Sequence, residues 1–194
     1  MSNPKITPRK FFGHIGTIIK HKWWVYQYAK LLGIPWKGLI HDLSKFHPTE
    51  FWESVRYWDG KSSPIPRCKA DKGYSLAWQH HKGHNPHHYD YWIDNLDQGG
   101  VPIKMPWNDL LELVADYLGA GRAYLGSKFT LEDEARWWEN QLRSGEKSRM
   151  HKNTKDMVGF LLRIFAQDPE YLREFRINYS QVWRERYENM KEES

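Results

Sequence analysis

The stretch Gly38-Leu39-Ile40-His41-Asp42-Leu43-Ser44-Lys45-Phe46 sets an adjacent histidine and aspartate after a short apolar run, with a lysine three residues beyond. Read as helix, it points neighbouring side chains about 100° apart. Two short ones at that angle still converge on one ion: the imidazole gives a nitrogen, and the carboxylate can bridge to a second ion. Lys45 falls four residues after His41, near the same face, where its ammonium can meet an anion held by the metal. A lone His-Asp pair also arises by chance on solvated helix edges. Here it is accompanied by His21 before it, by His80, His81, His87 and His88 after it, and by Asp116.

The flanking sequence reads as helices. Arg9 to Leu32 carries an apolar face through Ile15, Ile18, Ile19, Val25 and Leu31, and Gly33 stops it. His14 and His21 are two turns apart on one face, and either can serve as a ligand from this first helix. Pro35 opens a helix carrying His41-Asp42 to about Lys45, and Pro48 opens another that presents Glu50. Glu50 is either an acid reaching towards a metal or a helix-start glutamate favoured by the dipole. Asp59 to Asp71, with Gly60, Pro64 and Pro66, reads as a loop. It is long enough to act as a lid, and its Lys61, Arg67 and Lys69, with the adjacent Lys72, are possible phosphate contacts.

Tyr74 to Lys82 is helical and presents His80 and His81, of which one faces inward. Gly83 and Asn85-Pro86 end it, and His87 and His88 follow the turn. Histidines at positions 80, 81, 84, 87 and 88 are too dense for core packing alone; a surface tract that binds metal adventitiously is the competing explanation. A helix from Met105-Pro106 to about Ala120 sets Asp116 at the edge of a buried arc of Leu110, Leu113, Val114, Tyr117 and Leu118. A carboxylate there needs a partner, either an ion or a basic side chain. Thr130 with Asp133, Asn153 with Asp156, and Asp168-Pro169 then mark three further helix starts.

These residues, His21, His41-Asp42 with Lys45, the later histidines and Asp116, resemble the pattern of the HD-domain superfamily of metal-dependent phosphohydrolases, for which His-Asp-x-x-Lys is a common central motif. Within it the chain is similar to an uncharacterised HD-like family of bacterial and phage proteins. The shared positions are His41-Asp42-Leu43-Ser44-Lys45-Phe46, Glu50-Phe51, His81, Asn85-Pro86-His87-His88 and Met105-Pro106, from about residue 14 to 120. The resemblance implies metal ligands His21, His41, Asp42, His81, His87, His88 and Asp116, favouring His21 over His14 and His81 over His80. It implies one or two divalent transition metal ions, with iron or manganese ahead of zinc, cobalt and nickel. Asp42, Lys45 and Glu50 are the candidate catalytic residues.

The 194 residues suit one domain with a sizeable core. The absence of strand-like alternation makes it all-α: a single HD-like helical bundle over residues 1–194, its core at about 9–125 and a helical extension at about 126–194. A single cysteine, Cys68, excludes an internal disulfide framework and Cys-rich zinc sites. No stretch has the ~20 apolar residues of a membrane span, so a cytoplasmic location is the default. The formal charge of +5 favours anionic partners: a nucleotide, another small phosphoester, or nucleic acid. Most of the eleven tryptophans are expected in the core or packed between helices, with one or two lining a pocket.

The expected activity is therefore metal-dependent hydrolysis of a nucleotide, cyclic dinucleotide or other small phosphoester. Two alternatives share the ligand set: an HD-fold di-iron oxygenase, and a metal- or nucleic-acid-binding module without turnover. No Walker-type phosphate loop or nucleophile elbow offers other chemistry.

Overall fold

The structure, a computed structural model, describes residues 4–191 and is all-α apart from one short antiparallel bridge. The first helix, α1 (Pro8–Leu31), is capped by Thr7, whose hydroxyl accepts from Lys10 N, and Pro8 occupies the first turn. Its buried residues, His14, Ile18, His21, Val25 and Ala29, recur every three or four positions and so form one stripe. Two histidines thus lie on the face turned to the interior.

The long partner of α1 is α6 (Trp107–Leu125), which begins after Pro106 and runs on to Leu125. Gly119 makes their approach close. A Cβ there would lie 2.5 Å from Val25 Cγ2 and 2.8 Å from Val25 N, so any larger residue would force the helices apart. Asp116 is one turn before Gly119 and His21 one turn before Val25, so this contact draws the two together. Gly38 does the same for the short α2 (Pro35–Ile40), where a Cβ would stand 2.5 Å from Ala29 Cβ.

Contrary to the helical expectation, α2 stops at Ile40. His41 is extended (φ −47°, ψ 131°) and Asp42 left-handed (φ 56°, ψ 27°), followed by a 3-10 turn over Leu43–Phe46. These two successive non-helical residues carry side chains that are both buried.

Next come α3 (Pro48–Tyr57), α4 (Pro64–Lys72) and α5 (Leu76–His84). Helix α4 replaces most of the expected loop. Ser63 caps it, Pro64 starts it and Gly73 ends it in a left-handed conformation. Pro66 is tolerated because first-turn N–H groups have no intrahelical acceptor to lose. Three of the four expected phosphate contacts are engaged elsewhere: Arg67 pairs with Asp59, Lys72 with Glu53, and Lys69 lies over the Trp78 ring. The bridge follows, β1 (Ile93–Asp94) against β2 (Val101–Pro102).

After α6 come α7 (Leu131–Arg143), with the expected capping box of Thr130 and Asp133, then α8 (Lys152–Gln167), α9 (Pro169–Glu174), a π-helical turn at Phe175–Tyr179, and α10 (Ser180–Glu188). The cap expected at Asn153 is supplied by the His151 ring instead. Asn153 and Thr154 are buried and hold the end of the chain: the Asn153 amide donates to Lys191 O, and the Thr154 hydroxyl meets the Tyr187 hydroxyl at 2.9 Å.

One large core unites Val25 of α1 and Leu32 just after it, Leu110 and Leu118 of α6, and Trp138, Leu161, Phe165 and Phe175 from the helices beyond. A smaller cluster holds Ile18, Phe51 and Val55. His21 lies between Ile18 and Val25 on the α1 stripe, at the junction of the two. Of the tryptophans, Trp107 and Trp138 are buried outright, Trp92 and Trp183 pack against the large core and Trp78 lines a cavity, whereas Trp23, Trp36, Trp52 and Trp137 are exposed. Among the described residues no helix is long and apolar enough to cross a membrane.

Candidate metal centre

Four elements deliver ligand atoms to one place: α1 (His21), the turn after α2 (His41, Asp42), α5 with the segment after it (His81, His87, His88), and α6 (Asp116). His21 Nε2 lies 3.3 Å from His41 Nε2, 3.3 Å from Asp42 Oδ2 and 3.2 Å from Asp116 Oδ1. His41 Nε2 lies 3.2 Å from Asp42 Oδ2 and 3.4 Å from Asp116 Oδ1. Ligands held at about 2.0–2.2 Å from one ion stand roughly 3.0–3.5 Å apart, which these distances match. They are long for charge-assisted hydrogen bonds, which close to about 2.7–2.9 Å.

On its other side Asp42 Oδ1 lies 3.4 Å from both His81 Nε2 and His87 Nε2, and His88 completes a second group. Asp42 therefore offers one oxygen to each group. Its Oδ1, His87 Nε2 and His88 Nε2 are buried and have no hydrogen-bond partner among the described residues. Unpaired buried polar atoms are costly, and a cation between them removes the cost. The residues present fit one or two transition metal ions bound by nitrogen and oxygen.

Short hydrogen bonds hold the outer edges of the rings. Glu112 Oε1 lies 2.9 Å from His41 Nδ1 and 3.1 Å from His87 Nδ1. Glu50 uses one oxygen on His81 Nδ1 (2.8 Å) and the other on His80 Nδ1 (2.6 Å). A carboxylate at Nδ1 keeps the proton there and leaves the Nε2 lone pair for a metal. Lys37 braces Glu112 at 2.9 Å and Asp109 at 2.5 Å, and Lys22 donates to the His41 carbonyl.

The sequence pattern left Glu112, Lys37 and Lys22 without a role. Glu112 had one available signal, its place four residues before Asp116 on the same face of α6. Of the paired alternatives, His21 and His81 join the groups, while His14 and His80 do not.

The charges favour a cation. Burial pushes the Asp42 carboxyl up, but His41, Lys45 and His81 outweigh it and hold the group well below the usual carboxylate range. Burial likewise opposes charge on His41, and Asp42, Asp116 and Glu112 reverse this, raising its pKa well above the ordinary value. A field that keeps a proton on a buried imidazole also attracts a divalent ion. Burial lowers the pKa of His87 and of His88, which leaves their lone pairs available.

Beside the ligands lies a cavity of ≈ 210 Å³, lined at this end by His21, Asp42, His81, His88 and Asp116. Lys45 and Glu50 also line it. The Lys45 ammonium lies 2.5 Å from Asp42 Oδ2, which gives it a local reason to face inward.

The chain belongs to DUF5662. This is a family of unknown function, and its model matches residues 10–164. That span holds every grouped ligand together with Glu50 and Glu112. No curated protein and no solved structure matches the chain.

Proposed function

We propose that this DUF5662 protein is a metal-dependent phosphohydrolase of the HD type, acting on a small phosphoester or nucleotide. The observation that carries the reading is Asp42, whose two oxygens face two separate ligand groups beside a cavity that Lys45 also lines. Divalent ions held by these groups, manganese or iron first, supply Lewis acidity and hydroxide at neutral pH.

The chain's residues do the rest. Asp42 joins the two groups, and Glu50 and Glu112 keep His81, His41 and His87 in the ligating tautomer. Lys45 neutralises a phosphate oxygen, and it is the one lysine or arginine among the described residues lining the cavity. The small volume suits a small substrate better than a nucleic acid strand.

Hydrolysis needs no oxygen, so manganese-loaded protein should release phosphate or nucleotide from a phosphoester panel under anaerobic conditions. Asp42→Ala should abolish this, and Lys45→Met should lower turnover while keeping the metal. If no phosphoester reacts and iron-loaded protein instead consumes oxygen with a phosphonate or polyol, the hydrolase reading is wrong.

A further inference from the structure

The cavity has a second end that the metal ligands do not reach. His14 lies seven residues before His21 on the buried stripe of α1, on nearly the same face and about 10 Å along the axis. It lines the same cavity, is 5% exposed and belongs to neither ligand group. Its Nδ1 is buried without a hydrogen-bond partner among the described residues. Phe51 packs beside the ring, with centroids 5.5 Å apart. A ring that lines the cavity and carries an unpaired buried nitrogen is equipped to hydrogen-bond a ligand there.

The surroundings describe that ligand. Ser54 stands one turn after Glu50 on α3, and Ile18, Pro64 and Ile65 give apolar walls. Burial, then Lys45, lowers the pKa of His14 to about 4, so the ring is uncharged at neutral pH. The carboxylates that line the cavity, Asp42, Glu50 and Asp116, belong to the metal end, with Lys45 the one cation among them. One phosphate can sit between the metal end and Lys45, whereas a second or third extending towards His14 would meet no further lysine or arginine among the described lining residues.

We infer that His14 binds the uncharged end of the substrate, so that the cavity accepts a phosphomonoester whose hydrogen-bonding, uncharged body extends about 10 Å from its phosphate, as in a nucleoside monophosphate. This rests on the phosphohydrolase reading for the phosphate end alone. Discrimination comes from a buried polar atom that stays unpaired when the wrong ligand binds.

The test is calorimetry on the manganese-loaded full chain with two kinds of probe: inorganic phosphate, and non-hydrolysable 5′-phosphonate analogues of the common nucleosides. Wild type should bind its best analogue at least about tenfold more tightly than phosphate. His14→Phe, which keeps an aromatic ring but loses both nitrogens, should lose that preference and leave phosphate affinity and metal content unchanged. His14→Gln, which keeps a polar atom, should recover part of it.

An analogue affinity unchanged in His14→Phe overturns the inference. So does an equal loss of phosphate and analogue, or a wild type that prefers no analogue. If phosphoesters turn over without any preference, the hydrolase reading stands and the His14 assignment falls. A His14-dependent preference with no turnover of any phosphoester does the reverse. Binding of neither probe overturns both.

Discussion

Glu112 Oε1 lies 2.9 Å from His41 Nδ1, on the edge of the ring opposite the Nε2 that faces His21 and Asp42. The same oxygen holds His87 Nδ1, so one carboxylate orients a histidine in each ligand group. Removing such an outer partner costs about 10–100-fold in metal affinity. Glu112→Ala should show that loss in a competitive chelator titration, and Glu112→Gln, which keeps one accepting oxygen, should lose less. Wild-type affinity in Glu112→Ala would mean that the imidazoles are held by packing alone.

Asp42 carries the larger share. Its backbone is left-handed, a conformation that asparagine also adopts with little strain, so Asp42→Asn changes the donor and spares the turn. This variant should lose more metal affinity than the roughly 10–100-fold of an outer partner, because one group loses its oxygen and both lose the shared negative charge. His14→Ala should keep its metal. Elemental analysis after dialysis compares the two directly, and equal metal content would refute the bridge.

The ligand types were legible in the chain because the His-Asp-x-x-Lys stretch and the later histidines state their chemistry by identity alone. Geometry was less legible. Nothing in Ile40-His41-Asp42-Leu43 signals a left-handed residue, since the usual marker, glycine, is absent there. Pro64 and Pro66 hid α4 because proline marks a helix start as well as a loop. Glu112 and Lys37 acquire their roles only when α2 and α6 pack together, a relationship 75 residues apart in sequence. Gly119 looked like an ordinary helical glycine until Val25 was placed against it.

That glycine gives a prediction that separates stability from ligation. Gly119→Ala adds a methyl facing Val25 N at 2.8 Å, and backbone cannot move aside as a side chain can. Overpacking of this kind costs about 1–3 kcal/mol, partly offset by the helix propensity of alanine. For a chain of this size each kcal/mol lowers Tm by about 2–4 °C. The same shift moves Asp116 away from His21, now 3.2 Å apart, so metal affinity should fall with Tm. A variant with reduced Tm and unchanged metal affinity would show that the centre does not depend on the α1–α6 spacing.

His14 predicts how stability changes with pH. Its folded pKa is lowered to about 4 from 6.5, first by burial and then by Lys45. The folded state therefore resists a proton that the unfolded chain accepts. The stability this neutral ring contributes is complete above about 6.5 and is lost as pH falls towards about 4, amounting to at most about 3 kcal/mol. Burial also lowers the pKa of His87 and His88, and the ligand carboxylates are held low, so the wild-type curve alone mixes several groups. Subtracting the curve of His14→Phe removes those shared contributions. In denaturant titrations of chelator-treated protein, wild type should lose stability relative to His14→Phe as pH drops through this window, and hold a constant difference above it. Because His14 is not a ligand, the same relative slope should persist with metal bound. Parallel curves from about pH 7 to 4 would show that His14 takes up its proton as easily in the fold as in the unfolded chain.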